Sequence, residues 1–252
     1  CEAEFAAEVF RSWRGREAGL LREDFCGSAA VCAAWVRAHP DHHALGVDHD
    51  TAVLAWSERH HLAALDAGQR HRVRLLAGDV LAPDPRETEA DAAADLVLAL
   101  NFSYWLFRER AALLAYFRRV RTRLGAEGLF ILDAYGGYDA HREIEERRTI
   151  DDGDGSFTYV WEQAYFEPIS HDMRCHIHFE FPDGSRLPQA FSYTWRLWTL
   201  PELRELLAEA GFRSSTVYWQ GWDENDEPDG RFVPAREGEA DAGWICYLVA
   251  EA

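Results

Sequence analysis

Five short apolar runs, interleaved with helical patterns along the first half of the chain, constrain the fold more than any other feature. They are Leu20–Phe25, Ala44–Val47, Val73–Ala77, Leu96–Leu100 and Leu129–Leu132. Helical patterns lie at Glu2–Trp13, Ser28–Ala38, Thr51–Leu65 and Arg108–Leu124, punctuated by Gly15, His39-Pro40-Asp41, Gly68 and Gly125. Continuous apolar runs suit strands covered on both faces, and strand–helix alternation is the signature of a doubly wound α/β sheet. Residues 83–91 read as a loop.

After Gly136-Gly137 the pattern changes. Tyr159–Phe166, Met173–Phe181 and Gln189–Leu197 read as antiparallel strands, with Pro182-Asp183-Gly184-Ser185 as a hairpin turn. Met173, Cys175, Ile177, Phe179 and Phe181 alternate with Arg174, His176, His178 and Glu180, giving one apolar and one polar face. Thr199 and Glu202 then form a capping box for a helix over Leu200–Ala210, closed by Gly211. Ser215–Trp219 and Trp244–Val249 read as the last two strands, and the acidic Asp223–Glu239 between them as a long exposed loop.

The expected architecture is a mostly parallel seven-stranded sheet, its last strand antiparallel, with an inserted antiparallel β lid. Residues 1–138 and 198–252 would form the α/β core, and 139–197 the lid. At 252 residues and 48% hydrophobic content the chain can bury a sizeable core.

Lys plus Arg total 26 against 44 Asp plus Glu, a net charge of −18, which opposes nucleic-acid and anionic-membrane partners. The local run Arg118, Arg119, Arg121 and Arg123 reads as a solvated helix face. Five scattered cysteines without CxxC spacing suit reduced thiols and a cytoplasmic protein. No apolar run approaches ~20 residues and no leader pattern precedes the first helix, so neither a membrane span nor an export signal is expected. The chain opens on Cys1 rather than Met, so the native N-terminus is expected to be missing. No metal site is expected, and the pairs His42-His43 and His60-His61 read as solvent-facing.

Ligands of open α/β sheets bind beyond the carboxyl ends of the strands. Those ends carry Glu23–Gly27, Asp48-His49-Asp50, Asp79, Asn101 with Ser103 and Tyr104, and Asp133 with Tyr135. Ionised carboxylates there can accept from ribose hydroxyls and an adenine amino group, while they repel a pyrophosphate. The pattern therefore favours a nucleoside without phosphates, preferably cationic.

The series EDFCGSA, LGVDHD, AGDV, LVLALNFSYW and LGAEGLFILD resembles the motif series of class I S-adenosylmethionine-dependent methyltransferases. The resemblance spans Leu20–Asp133 and resumes over Trp198–Val249. In that family an acid precedes three alternating glycines, and here Glu23, Phe25, Gly27 and Ala29 occupy those positions, so two glycines are replaced. The resemblance implies that Glu23 and the backbone at Cys26–Gly27 hold the amino-acid end. It places Asp48 on the ribose with His49 beside it, Asp79 and Val80 on the adenine, and Asn101 near the sulfonium. The insert resembles that of small-molecule N-methyltransferases, such as aminosugar and glycine or sarcosine enzymes.

The function expected is methyl transfer from S-adenosylmethionine to a small-molecule acceptor, at an amine nitrogen. A nicotinamide-dependent oxidoreductase and a non-catalytic nucleoside-binding module are the alternatives. A proton acceptor would be sought in His176, Tyr104 or Tyr135, and acceptor contacts in His178, Tyr193, Trp195 and Arg196, with exposed strand histidines and packed rings as the plain alternatives. Cys26 reads as a small packed residue rather than a nucleophile.

Overall fold

The computed structural model describes residues 2–82, 85–87, 93–151, 153, 155–222 and 228–252. Helix α1 (Glu2–Arg14) buries Ala6, Val9 and Phe10 beside α2 (Ala30–Ala38), and α2 follows β1 (Leu20–Asp24). Strand β2 (His43–Asp48) leads into α3 (Thr51–Ser57), whose N-cap Asp50 accepts from the backbone N–H groups of Ala52 and Val53. The helix then widens into a π-type turn over Glu58–Leu62, short of the expected Leu65. Gly68, expected to close that helix, lies inside a further short helix, α4 (Ala67–His71). Asp66 and Gln69 form a capping box that starts it.

Strands β3 (Val73–Ala77) and β4 (Ala94–Ala99) follow, then α5 (Arg110–Arg121) and β5 (Leu124–Gly136). Along β4, Leu96 and Leu98 join the core beneath α1 and α2, while Val97 and Ala99 join the core beneath α5. Leu129 and Ile131 of β5 alternate with Phe130 and Leu132 in the same way. This two-sided burial is why the runs are continuously apolar.

Between β5 and α6 (Leu200–Glu209) lies a separate antiparallel sheet of β6 (Ile144–Asp151), β7 (Ser156–Phe166), β8 (Asp172–Glu180) and β9 (Arg186–Arg196), in that order. Three strands were expected; β6, IEERRTID, is the addition. It is an edge strand with charges on both faces, so it lacks the apolar alternation that marks a half-buried strand.

The chain ends with β10 (Ser214–Trp222), β11 (Pro228–Ala235) and β12 (Trp244–Glu251). The main sheet has the order β11-β10-β12-β5-β4-β1-β2-β3. Its five strands β1–β5 are mutually parallel; β12 runs antiparallel between β5 and β10, and β11 antiparallel beside β10. The sheet thus has eight strands rather than seven. The eighth, β11, occupies part of the stretch expected to be a loop, pairing Phe232 with Gln220 and Val233 with Trp219. Residues 223–227 of that stretch, and 83–84 and 88–91 of the other expected loop, lie outside the described residues.

Strand order reverses between β1 and β4, which opens a crevice beyond their carboxyl ends. The small sheet closes over that crevice. Met173, Cys175 and Trp195 enter the core, and Trp195 meets Trp105 edge-on at 5.9 Å.

Two sequence expectations about charge are corrected. Arg123 is buried against Glu87 rather than solvated, and Glu87 also receives Arg22 Nη1 at 2.8 Å. His42 is buried, stacked on Trp35 at 3.8 Å, with Nδ1 on the Trp35 carbonyl at 2.9 Å.

The box at α6 is present as expected. Thr199 N–H donates to Glu202 Oε2 at 2.9 Å, and Glu202 is also gripped by Arg196 at 2.9 Å. Replacing Thr199 by Ala should cost about 1 kcal/mol. Thermal melting followed by circular dichroism should therefore show a midpoint lowered by roughly 2–4 °C.

Candidate active site

The loop joining β1 to α2 has an unusual backbone. Phe25, Gly27 and Ala29 have φ of 59°, 49° and 53°, so the left-handed conformation recurs at every second residue. Phe and Ala each lose roughly 1–2 kcal/mol in that conformation. Several contacts hold it. Cys26 N–H donates to the Val47 carbonyl (3.0 Å), Gly27 N–H to Asp48 Oδ2 (2.8 Å) and Ala29 N–H to the Cys26 carbonyl (2.7 Å). The Phe25 ring packs on Tyr116 at 5.5 Å and Phe107 at 6.1 Å. Gly46 leaves room beneath, since a Cβ there would lie 2.8 Å from Cys26 Sγ.

A second strained turn faces this loop across the crevice. Asn101 and Phe102, after β4, have φ of 56° and 55°. Their N–H groups both donate to the buried Asp133 carboxylate on β5, at 2.6 and 2.9 Å. Burial pushes the Asp133 carboxyl up to about 7, against the pull of those N–H bonds.

Two more carboxylates are buried at the end of β1. Glu23 accepts from Cys32 N–H (3.2 Å) and the Cys32 thiol (3.0 Å); burial raises its pKa to about 7 against that pull. Asp24 accepts from Arg22 Nε (2.7 Å) and the Tyr116 hydroxyl (3.0 Å), and burial raises it too.

Glu23, Asp24, the loop after β1 and the Asn101–Phe102 turn border a cavity of about 870 Å³. Its floor is the stretch Glu23–Ser28 with Asn101 and Phe102, and one side is Ala52, Val53 and Trp56 of α3. Its roof is the inner face of the small sheet, where Tyr159, Trp161, Phe191, Tyr193 and Trp195 gather around Ile177. No Lys, Arg or His is among its lining residues. A second cavity of about 440 Å³ shares Phe102, Tyr159 and Trp161 and adds Tyr135 and the inner side of β6.

Of the residues singled out from the sequence, Glu23, Cys26, Gly27, Asn101, Tyr193 and Trp195 line the first cavity, and Tyr135 the second. Ala29 is fully buried beneath the loop. Burial raises the Cys26 thiol, in keeping with a packed residue. Asp48 sits behind the loop, holding Gly27 N–H and Asp50 N–H (2.9 Å). His49 is exposed beside it, Nδ1 3.5 Å from Asp48 Oδ1. Asp79 is exposed and accepts from Leu81 N–H at 2.9 Å, and Val80 is buried. None of these four lines the cavity.

Other candidates lie elsewhere. Tyr104 is wholly buried, its hydroxyl donating to the Asp133 carbonyl at 2.7 Å, so it is a core residue. Period-two alternation turns His176 and His178 to the outer face of β8, away from the rings. His176 Nδ1 lies 2.7 Å from Ser192 Oγ, and His178 Nε2 2.9 Å from Glu162 Oε2. Arg196 lies over the Trp198 ring at 3.8 Å and pairs with Glu202. Sequence reading passed over Tyr159, Trp161, Ile177, Phe191, Phe102 and Trp56. For the first four, the signal was their strand parity: they share a face with Tyr193 and Trp195.

Among the described residues no group of His, Cys, Asp and Glu is placed to hold a metal ion. Substituting Asn for Asp133 would set an NH₂ against a backbone N–H in a buried site, at about 1–3 kcal/mol. The melting midpoint should fall, and by less at neutral than at acidic pH. The native carboxyl, with its raised pKa, adds stability that is complete below about 4 and lost as pH rises through about 7. Melting curves at pH 5 and pH 8 check both points.

No protein-family model and no curated protein matches the sequence. Solved structures do match. One is the amino pentose methyltransferase CalS10 from Micromonospora echinaspora, described as bound to SAM. It is 18% identical, with a TM-score of 0.68 over 100% of this chain and 90% of that one. The sugar N-methyltransferase KedS8 from Streptoalloteichus sp is 19% identical, with a TM-score of 0.65 over 99% of this chain and 86% of that one. The glycopeptide N-methyltransferase MtfA, complexed with S-adenosyl-L-methionine, is 18% identical, with a TM-score of 0.57 over 97% and 92%. The chain shares its fold, small antiparallel sheet included, with S-adenosylmethionine-dependent methyltransferases.

Proposed function

We propose that this chain is an S-adenosylmethionine-dependent methyltransferase acting on a small-molecule amine. One observation carries the reading. The cavity at the switch point is floored by buried carboxylates, roofed by aromatic rings and lined by no cationic side chain. Such a lining suits a cationic nucleoside and opposes the pyrophosphate of a nicotinamide dinucleotide. The fold shared with the three methyltransferases supports the same reading.

We infer that the cavity-lining residues suit one end of the cofactor, the candidates for its other end lying outside that lining. Glu23 would hold the ammonium of the amino-acid end, with the backbone at Cys26–Gly27 beside it and Asn101 near the sulfonium. Asp48, with His49 at its rim, and Asp79 and Val80 remain the candidates for the ribose and adenine. Asp48 keeps lone pairs for that role beyond the two backbone bonds it accepts. Bound there, the cofactor supplies a methyl group already activated by its positive sulfur.

The chain's own residues then have two tasks. The left-handed loop and the Asn101–Phe102 turn fix the floor, and the ring-lined roof excludes water and attracts a cationic amine. Alignment of the two partners can contribute up to ~7–11 kcal/mol. Of the three proton-acceptor candidates, Tyr135 borders the second of the two cavities described, and His176 and Tyr104 border neither. Burial raises the Tyr135 phenol, so it serves as a neutral hydrogen-bonding group toward the acceptor. We assign residues 139–197 the role of substrate lid. We place the protein in the cytoplasm, supported by four buried free cysteines, Cys26, Cys32, Cys175 and Cys246. No helix among the described residues is long and apolar enough to cross a membrane.

Titration calorimetry with S-adenosylhomocysteine tests the assignment, with Kd expected in the range of about 1 μM to 1 mM. Binding should tighten as pH rises from 6 to 7.5, because the ligand's ammonium group favours ionised Glu23, whose carboxyl is pushed up to about 7. Glu23→Gln should weaken binding and flatten that dependence. Stabilisation by NAD with none by S-adenosylhomocysteine would return the chain to the oxidoreductase reading. Binding without turnover across an amine panel would return it to the non-catalytic one.

A further inference from the structure

The edge strand β6 carries four consecutive charges, Glu145, Glu146, Arg147 and Arg148, that alternation divides between two faces. Outward in the register, Arg147 pairs with Glu145 at 2.8 Å and with Glu180 at 2.6 Å, so its charge is already matched where it borders the second cavity. Inward, Glu146 and Arg148 border the second cavity and have no hydrogen-bond or ion-pair partner among the described residues. In the antiparallel register Glu146 lies opposite Trp161 and Arg148 opposite Tyr159, two of the three rings that border both cavities.

One carboxylate and one guanidinium, about 6.6 Å apart along a strand, thus stand unpaired on a wall that also carries Phe102, Tyr135, Tyr159, Trp161, Ile150, Ile245 and the ion-paired Arg147. Left to themselves, opposite charges on one strand face gain little in solvent. A ligand bearing both an ammonium and a carboxylate would pair each of them in a partly desolvated, aromatic setting, where charge-assisted bonds are stronger.

We propose that the second cavity is the acceptor site and that it selects an amino-acid-like zwitterion with a flat apolar body. Glu146 takes the ammonium end, Arg148 takes the acid, and the rings take the body. The proposal goes past the general amine reading by requiring an anion on the acceptor. It rests on the methyltransferase reading only for the claim that this ligand is the methyl acceptor.

Two probe trios separate the charges: tryptophan, tryptamine and indole-3-propionate, and tyrosine, tyramine and 3-(4-hydroxyphenyl)propionate. Each is titrated by calorimetry into the whole chain with and without S-adenosylhomocysteine. At least one zwitterion should bind about tenfold or more tighter than both of its analogues. Arg148→Gln should erase the preference over the amine, and Glu146→Gln the preference over the acid. Both sites are exposed, so the variants should keep the parent circular-dichroism spectrum. Glu145→Gln, on the outer face, should leave both preferences intact. Equal binding of zwitterion and analogues, absence of binding by all six probes, or preferences that survive Arg148→Gln and Glu146→Gln would each overturn the proposal. A chain that binds a zwitterion selectively but ignores S-adenosylhomocysteine would keep the second cavity's specificity and lose the methyl-transfer reading.

Discussion

Capture of backbone N–H groups by buried carboxylates holds this site together. Asp48 takes Gly27 N–H and Asp133 takes those of Asn101 and Phe102, so one acid sits behind each wall of the crevice. In both places the chain adopts left-handed backbone on non-glycine residues. Such strain persists only where the surroundings over-determine it. Charged acceptors bonded to N–H groups are among the stronger hydrogen bonds, and they offset a cost that Phe25, Ala29, Asn101 and Phe102 would otherwise relieve by rotating.

Two further carboxylates set the electrostatics of the cavity. Glu23 and Asp24 are buried, and Asp24 alone has a cation, Arg22, against it. Arg22 continues to Glu87 and on to Arg123, a chain of charges behind the floor rather than in the cavity. The counter-charges face away, so the cavity side stays acidic. A floor of that sign discriminates by repulsion as well as by attraction.

Much of the core was legible because two-sided burial writes continuous apolar runs, and the capping residues at Thr199 and Glu202 declared their helix. The small sheet was legible in β8, where Met173 to Glu180 alternate cleanly. It was illegible in β6, where paired outer charges and unpaired inner ones make a polar run that looks like a loop. β11 was hidden in the same way, behind Pro, Gly and acidic residues, although its pairing with β10 is regular at Trp219 and Gln220. Site residues on loops could be located by position in the chain. Their roles could not: whether Asp48 faces a ligand or a backbone N–H depends on the path of residues 25–29, which no local pattern fixes. His176 and His178 show the reverse. Their chemistry suggested a proton acceptor, and strand parity turns them outward.

Side-chain packing also accounts for how the loop after β1 holds its path with glycine at one of its three positive-φ positions. Residues 25, 27 and 29 are the positions of this loop where φ turns positive. Glycine would make the conformation easy to reach, whereas Phe25 makes it hard to leave, because its ring is packed between Phe107 and Tyr116. Ala29, fully buried at the start of α2, does the same on a smaller scale. A loop tied down by side-chain packing in this way loses less freedom when a ligand settles on it than a glycine loop would. Replacing glycine therefore moves part of the ordering cost from binding to folding, where the aromatic core of α5 bears it.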